Sequence, residues 1–386
     1  MRTLSDYDAC QNALRDSDMR QALYDAGAVI MDSVLLTLHG PAHTQRRRLE
    51  MRVFGRSFFK YYEQDVFPRT LEETLTPMLT TGRLDLMEFG YRVTINLTAD
   101  FAGIDRSEKS IDETEDLLAM VKTFSEGATM IHSTRPAREV EEEVKAALAR
   151  FDERFLQPSI ARRKALLENG TEDLPRDVLT VLLKNEDKAP LSSDVLLREM
   201  GFYMQAGSHS TANAMVHSLH EIYSWAGEDD ARWERVENDL IFVQRCVHES
   251  LRLHPASPEA LRQHCPAHEP AGETIKLDLF TANRNQDVFG DDANAFNPER
   301  ERPKGVPASG LSFGTGVHSC LGQELDGGVL IRPGTPEEDR QYGIVTLLVL
   351  KLLALGARPD PGDPAEPATN TSRPNWGRYP VCVTTP

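Results

Sequence analysis

Apolar positions recur along most of this chain every three to four residues, the period of an α-helix. Behind Ser5 or Asp6, either of which suits an N-cap, Tyr7, Cys10 and Leu14 mark one helical face that runs to Arg15. Pro41 stands near the start of a second helix, strongly cationic through Arg46, Arg47, Arg48 and Arg52. From Tyr61 to Ala165 a series of amphipathic helices follows, divided at Gly82, Gly103 and Pro136, and nothing in it signals chemistry. The run DVLTVLLKNED predicts a short helix ending before Pro190. Ser192 or Ser193 then opens a long one, from Asp194 to Trp225. A late helix is interrupted, because DGGVLIRPGTPEEDR, residues 326–340 with Pro333, Gly334 and Pro336, precedes QYGIVTLLVLKLLALG. The pattern predicts a mainly α chain that forms a single domain over 1–386.

Composition narrows the class. The 386 residues are 40% hydrophobic and 27% charged, enough apolar material for a large core. Cys10, Cys246, Cys265, Cys320 and Cys382 show no paired spacing, so a disulfide framework is not expected and a reducing cytoplasm fits. The polar N-terminus and the absence of any run of spanning length argue against a signal peptide and against a membrane segment. A formal net charge of -17 argues against nucleic acid as a partner and is compatible with an enzyme of small molecules.

The chemistry is concentrated in LSFGTGVHSCLG, Leu311 to Gly322. A lone cysteine in a glycine-rich turn is ordinarily a small buried side chain. Here Phe313, Gly314, Gly316, His318, Cys320 and Gly322 together spell F-G-x-G-x-H-x-C-x-G. That stretch resembles the thiolate loop of the cytochrome P-450 superfamily, and the resemblance implies haem b with Cys320 as the axial iron ligand. Gly314 and Gly316 are expected to let the backbone approach a porphyrin, and Gly322 to permit close packing where a helix starts. His318 is expected to reach a haem propionate. His43 and Arg47 stand at the H-x-x-x-R spacing that places both on propionates, one helical turn apart, and Arg262 falls where a further propionate ligand belongs.

Two other blocks carry the resemblance. In the long helix, AGSHST is similar to the oxygen-binding segment A-G-x-[Asp/Glu]-Thr-[Thr/Ser]: Ala206, Gly207 and Thr211 match, while His209 replaces the carboxylate and Ser210 the threonine. Gly207 costs a helix about 1 kcal/mol against Ala, which suits a backbone that opens beside a diatomic ligand. Glu249 and Arg252 form E-x-x-R, and Asn297 to Arg300 supply the later arginine of a buried ion triad.

The resemblance implies a mainly helical haem protein, but the lead strands of the family are absent before Ser5 and RQHCPAHEPAGE, from Arg262, is too short for the usual strands. A reduced or missing β-sheet is therefore expected. The insertion is expected on the face where a ferredoxin or flavodoxin-type electron donor docks, with Glu337, Glu338 and Asp339 against Arg46 and Arg48. The implied activity is monooxygenation of a small organic molecule, as in soluble bacterial members that tailor secondary metabolites. Non-inserting oxidation (radical coupling, desaturation or peroxide-driven chemistry) and a haem-binding interaction protein without turnover remain open beside it.

Overall fold

The structure, a computed structural model, describes residues 1–266, 271–332 and 334–384. Pro333 of the insertion and residues 267–270 of the segment after Arg262 lie outside the described residues. Helices dominate, as the apolar period predicts. Asp6 caps the first, Tyr7–Arg15, by accepting from the Ala9 N–H at 2.9 Å. The cationic helix spans Gly40–Glu50, and the long one Ser193–Ala226 with Ser192 as its N-cap.

The long helix is central to the core. Helix Leu86–Ala102 lies against it, and small residues set the approach. A Cβ on Gly90 would come within 2.9 Å of Met215 Cε, and one on Gly207 within 2.8 Å of Thr98 Oγ1. Gly207 is thus required by helix–helix contact. The long helix runs unbroken through it, so the expected opening of the backbone is corrected. Helices Leu240–Leu253 and Ile344–Ala354 close the other side, burying Phe242, Val247, Leu348 and Leu352 in the same core.

The strands are short, two to six residues each, so the β content is small. It is not missing. Glu259–His264 pairs antiparallel with Thr274–Asp278, Arg2–Leu4 adds parallel to the latter and Met19–Gln21 antiparallel to the former, giving a four-stranded sheet. The expectation that no strands fit around Arg262, or precede the first helix, is corrected. Arg262 sits within a strand, paired with Gln21 and Ile275, because the strands Glu259–His264 and Thr274–Asp278 extend beyond RQHCPAHEPAGE on either side. Only pairing partners distant in sequence reveal that.

The ion triad forms as expected. Arg252 donates to Glu249 at 2.6 and 2.8 Å, and Arg300 Nε donates to the same carboxylate at 3.0 Å. Carbonyls of Asn283, Ala293 and Ala295 take the remaining Arg252 protons.

The insertion interrupts the helix where predicted, between Gln323–Gly327 and Ile344–Ala354, but its acidic partners differ. Asp339 meets Arg56 and Lys60 at 3.4 and 3.2 Å. Arg46 instead turns inward to Glu199 at 2.9 Å and Glu50 at 3.6 Å, two buried carboxylates that need a cation more than any surface acid does. Among the described residues no helix is long and apolar enough to cross a membrane.

Candidate haem-thiolate site

Sequence-distant elements enclose one cavity of about 370 Å³. Leu23, Leu35, Leu97, Phe101, Phe202 and Leu251 supply apolar wall, and the polar groups gather on two sides. On one side stands Cys320, open to the cavity. The loop that carries it turns through left-handed Gly314 and Gly316, φ +64° and +75°. Gly316 has a reason beyond its angle, since a Cβ there would stand 2.6 Å from the Leu14 carbonyl oxygen, against the first helix. Its expected approach to a porphyrin is corrected accordingly. A Cβ on Gly322 would meet only Cys320 Sγ, at 3.9 Å, so tight packing does not explain that glycine. The Gly322 and Gln323 amides donate to the sulfur. Burial outweighs them and Arg47, and with Asp326 nearby pushes the thiol up to about 11. Such a thiol is a poor nucleophile, whereas a coordinated metal deprotonates it outright.

The expected propionate ligands converge beside the cysteine. His43 and His318 lie 4.3 Å apart between ring centroids, and burial holds both below the usual histidine range, at about 4 and about 3. Both ring nitrogens of His318 are buried without a partner. Arg47 donates to the Ser319 carbonyl at 2.7 Å, and buried Arg262 reaches the Gln21 side chain, which is neutral. Burial pushes Arg262 down to about 10. Neither has a carboxylate among the described residues. Buried cations and an imidazole without an anion suit a dianionic group lying over Cys320, as a haem with two propionates would. No three His, Cys, Asp or Glu side chains of the described residues converge on a point. The residues fit a haem. Phe313 stands on this wall with its ring near Gly327.

The other side belongs to the long helix. His209 Nδ1 shares a hydrogen bond with Tyr91 Oη at 2.8 Å, and Asn375 Nδ2 approaches its Nε2 at 3.5 Å. Burial, with the Arg373 charge, pushes His209 down to about 3. It is neutral over the physiological range. Ser210 Oγ donates back to the Ala206 carbonyl at 2.6 Å, so its one proton is committed to its own helix. Thr211 donates to Asp326 at 2.6 Å, and burial raises that carboxyl to about 6.

Asp326 and Arg373 are the wall residues that sequence reasoning missed. Asp326 was legible only as the first residue of the insertion. Arg373, in a late irregular segment, belongs to no motif.

Comparison with known proteins agrees with this geometry. The family described as Cytochrome P-450 matches residues 227–325. A probable cytochrome P-450 313a5 of Drosophila melanogaster is 36% identical over 118 residues, 28% of this chain and 24% of that protein. Erythromycin C-12 hydroxylase of Saccharopolyspora erythraea is 32% identical over 181 residues, 44% of this chain and 41% of that one. The chain thus spans less than half the length of either relative. The crystal structure of CalO2 superposes with a TM-score of 0.75 at 18% identity, covering 99% of this chain and 90% of the other, which speaks for the fold alone. The matched segment runs from the end of the long helix through the ion triad to the cysteine loop, and there the chain is similar to the cytochrome P-450 family, whose fold it shares.

Proposed function

We propose that this chain is a haem-thiolate monooxygenase of a small organic molecule, acting as one haem domain in the cytoplasm and in secondary metabolism. The carrying observation is that Cys320, with two amide donors on its sulfur, shares a cavity wall with Arg47, Arg262 and His318, none with an anionic partner among the described residues. The printed name of the relative from Saccharopolyspora, a hydroxylase, supports the same reading.

A thiolate-bound haem supplies dioxygen chemistry on carbon, given two electrons from a ferredoxin or flavodoxin-type donor. The chain's own residues do the rest. Cys320 holds the iron, and Arg47, Arg262, His43 and His318 hold the carboxylates. The apolar wall excludes water, and the His209 side of the cavity places the substrate and moves protons. Proton supply is the weak part. His209 is neutral with Nδ1 engaged by Tyr91, and the Ser210 proton is bound to Ala206. That specific observation favours, as a second reading, a non-inserting or peroxide-driven oxidation that asks less of proton delivery.

Reconstitution with haem and a reduced carbon-monoxide difference spectrum tests the first reading. The wild type is expected to give the thiolate band and Cys320→Ala to lose it; a band surviving in the variant overturns the ligand. With a surrogate ferredoxin, His209→Glu is expected to raise the fraction of NADH electrons recovered in product. The wild-type fraction should stay flat from about pH 7 to 8, where His209 is neutral and Asp326 is already largely ionised. Tight coupling in the wild type that the variant worsens assigns His209 to this enzyme's own relay.

A further inference from the structure

Among the described residues six arginines are buried: Arg106, Arg163, Arg252, Arg262, Arg300 and Arg373. Arg106, Arg163, Arg252 and Arg300 each form an ion pair with a carboxylate. The two others line the cavity. Arg262, with Arg47, faces the Cys320 side and has neutral protein partners. Arg373 is different again. Its backbone N–H bonds to Thr371 Oγ1 at 3.2 Å, but none of its guanidinium donors meets an acceptor in the described residues, and Nε is fully buried.

Its segment adjoins the long-helix side of the cavity, since Asn375, two residues on, approaches His209 Nε2 at 3.5 Å. The Arg373 charge acts on His209, His132, Tyr91 and Tyr24, the last of which also feels Arg262. The segment is also held firmly. Thr371 bridges to Ser133, the Ser372 N–H donates to the His132 carbonyl at 3.1 Å, and Asn375 reaches His209. Glu259 also lines the cavity and its charge acts on Arg373, but its carboxylate is paired with Lys276 and makes no ion pair with the guanidinium. A buried cation without a hydrogen-bonded anion is costly to the folded protein, and it is tolerated where a ligand supplies the charge. The fork of a guanidinium matches a carboxylate in two parallel hydrogen bonds.

We propose that Arg373 is the anion-recognising residue of the substrate chamber, and that the substrate is an organic acid: a carboxylate on an apolar skeleton, bound through Arg373 with its hydrocarbon against Leu97, Phe101 and Phe202. The acid end is held between Arg373 and the His209–Tyr91 pair, and the far end is left toward Cys320. This deepens the monooxygenase reading and rests on it only for what happens at that far end.

Calorimetric titration of the haem-loaded protein with acid–amide pairs tests the assignment: decanoate and decanamide, phenylacetate and phenylacetamide, adamantane carboxylate and its carboxamide. At least one acid is expected to bind the wild type about tenfold or more tightly than its amide, and Arg373→Gln to remove that preference, a loss of roughly ten- to hundredfold. Arg373→Lys is expected to keep part of it, because charge survives without the fork. Both variants should retain the wild-type carbon-monoxide spectrum. An acid preference untouched in Arg373→Gln, or absent from every pair in the wild type, overturns the proposal. So does loss of haem from both variants, which would assign Arg373 to the propionates. Acid preference in a protein without the thiolate band would leave this inference standing and defeat the monooxygenase reading.

Discussion

Arg252 and Arg373 are both buried, yet the first has all five of its protons matched to acceptors and the second has none matched. Around Arg252 the chain supplies everything the charge needs: the Glu249 carboxylate on its own helix and three carbonyls from the segment after Ala282. Around the cavity Arg47, Arg262 and Arg373 form no ion pair with a carboxylate of the described residues. The contrast separates charge that holds the fold from charge that holds a ligand, which inspection of either arginine alone would not do. Both kinds cost desolvation. Only the first is repaid by the polypeptide itself.

The largest effect should come from breaking the paired region. Glu249→Gln strands Arg252 and leaves Arg300 with Asp292 alone, and urea unfolding is expected to report a loss of about 3–5 kcal/mol. A change within scatter would mean the triad is not the anchor described.

Asp326 sharpens the comparison from the opposite sign, as a half-buried carboxyl on the cavity wall with a hydroxyl and no cation against it. Its folded value, about 6, lies above the ordinary 3.8, so the folded protein keeps this proton longer than the unfolded chain does. Its contribution is therefore fully present below about pH 4 and is lost as pH rises through about 6. Asp326→Asn should remove that slope in the haem-free protein, a relative gain of about 3 kcal/mol at neutral pH. Parallel stability–pH curves for variant and wild type would show that the carboxyl finds a partner.

The smallest effect is the most diagnostic. Arg262→Met should leave the haem-free protein as stable as before or more stable by about 1 kcal/mol, because a buried charge without an anion is removed. The same change should weaken haem retention. Thermal unfolding with and without haem should therefore move in opposite directions, whereas Arg252→Met should lower both.

Much of this was legible in the sequence because it is local. Ser192 capping a long helix, the F-G-x-G-x-H-x-C-x-G loop and the Glu249–Arg252 spacing are fixed by neighbours a few residues apart, and the structure has each in place. What failed was long-range. The hairpin through Arg262 depends on pairing with Met19–Gln21, 241 residues away at the Gln21 contact. Arg46, read as a surface cation facing the insertion, is drawn inward by Glu199, 153 residues distant. Gly207, read as an opening for a ligand, answers to Thr98 on another helix.

By itself, then, the sequence determined the helical character, the caps, the cysteine loop and the members of the ion triad, since periodicity and motif spacing act within a few turns of chain. Tertiary structure alone decided which charges are paired. Arg373 carries no mark in the sequence that separates it from Arg106 or Arg163, and the motif positions of Arg47 and Arg262 do not show that both lack a carboxylate partner. The distinction arises because folding brings carboxylates to some guanidinium groups and an apolar cavity to others, and the energy of a buried charge depends on what stands within a few ångströms of it.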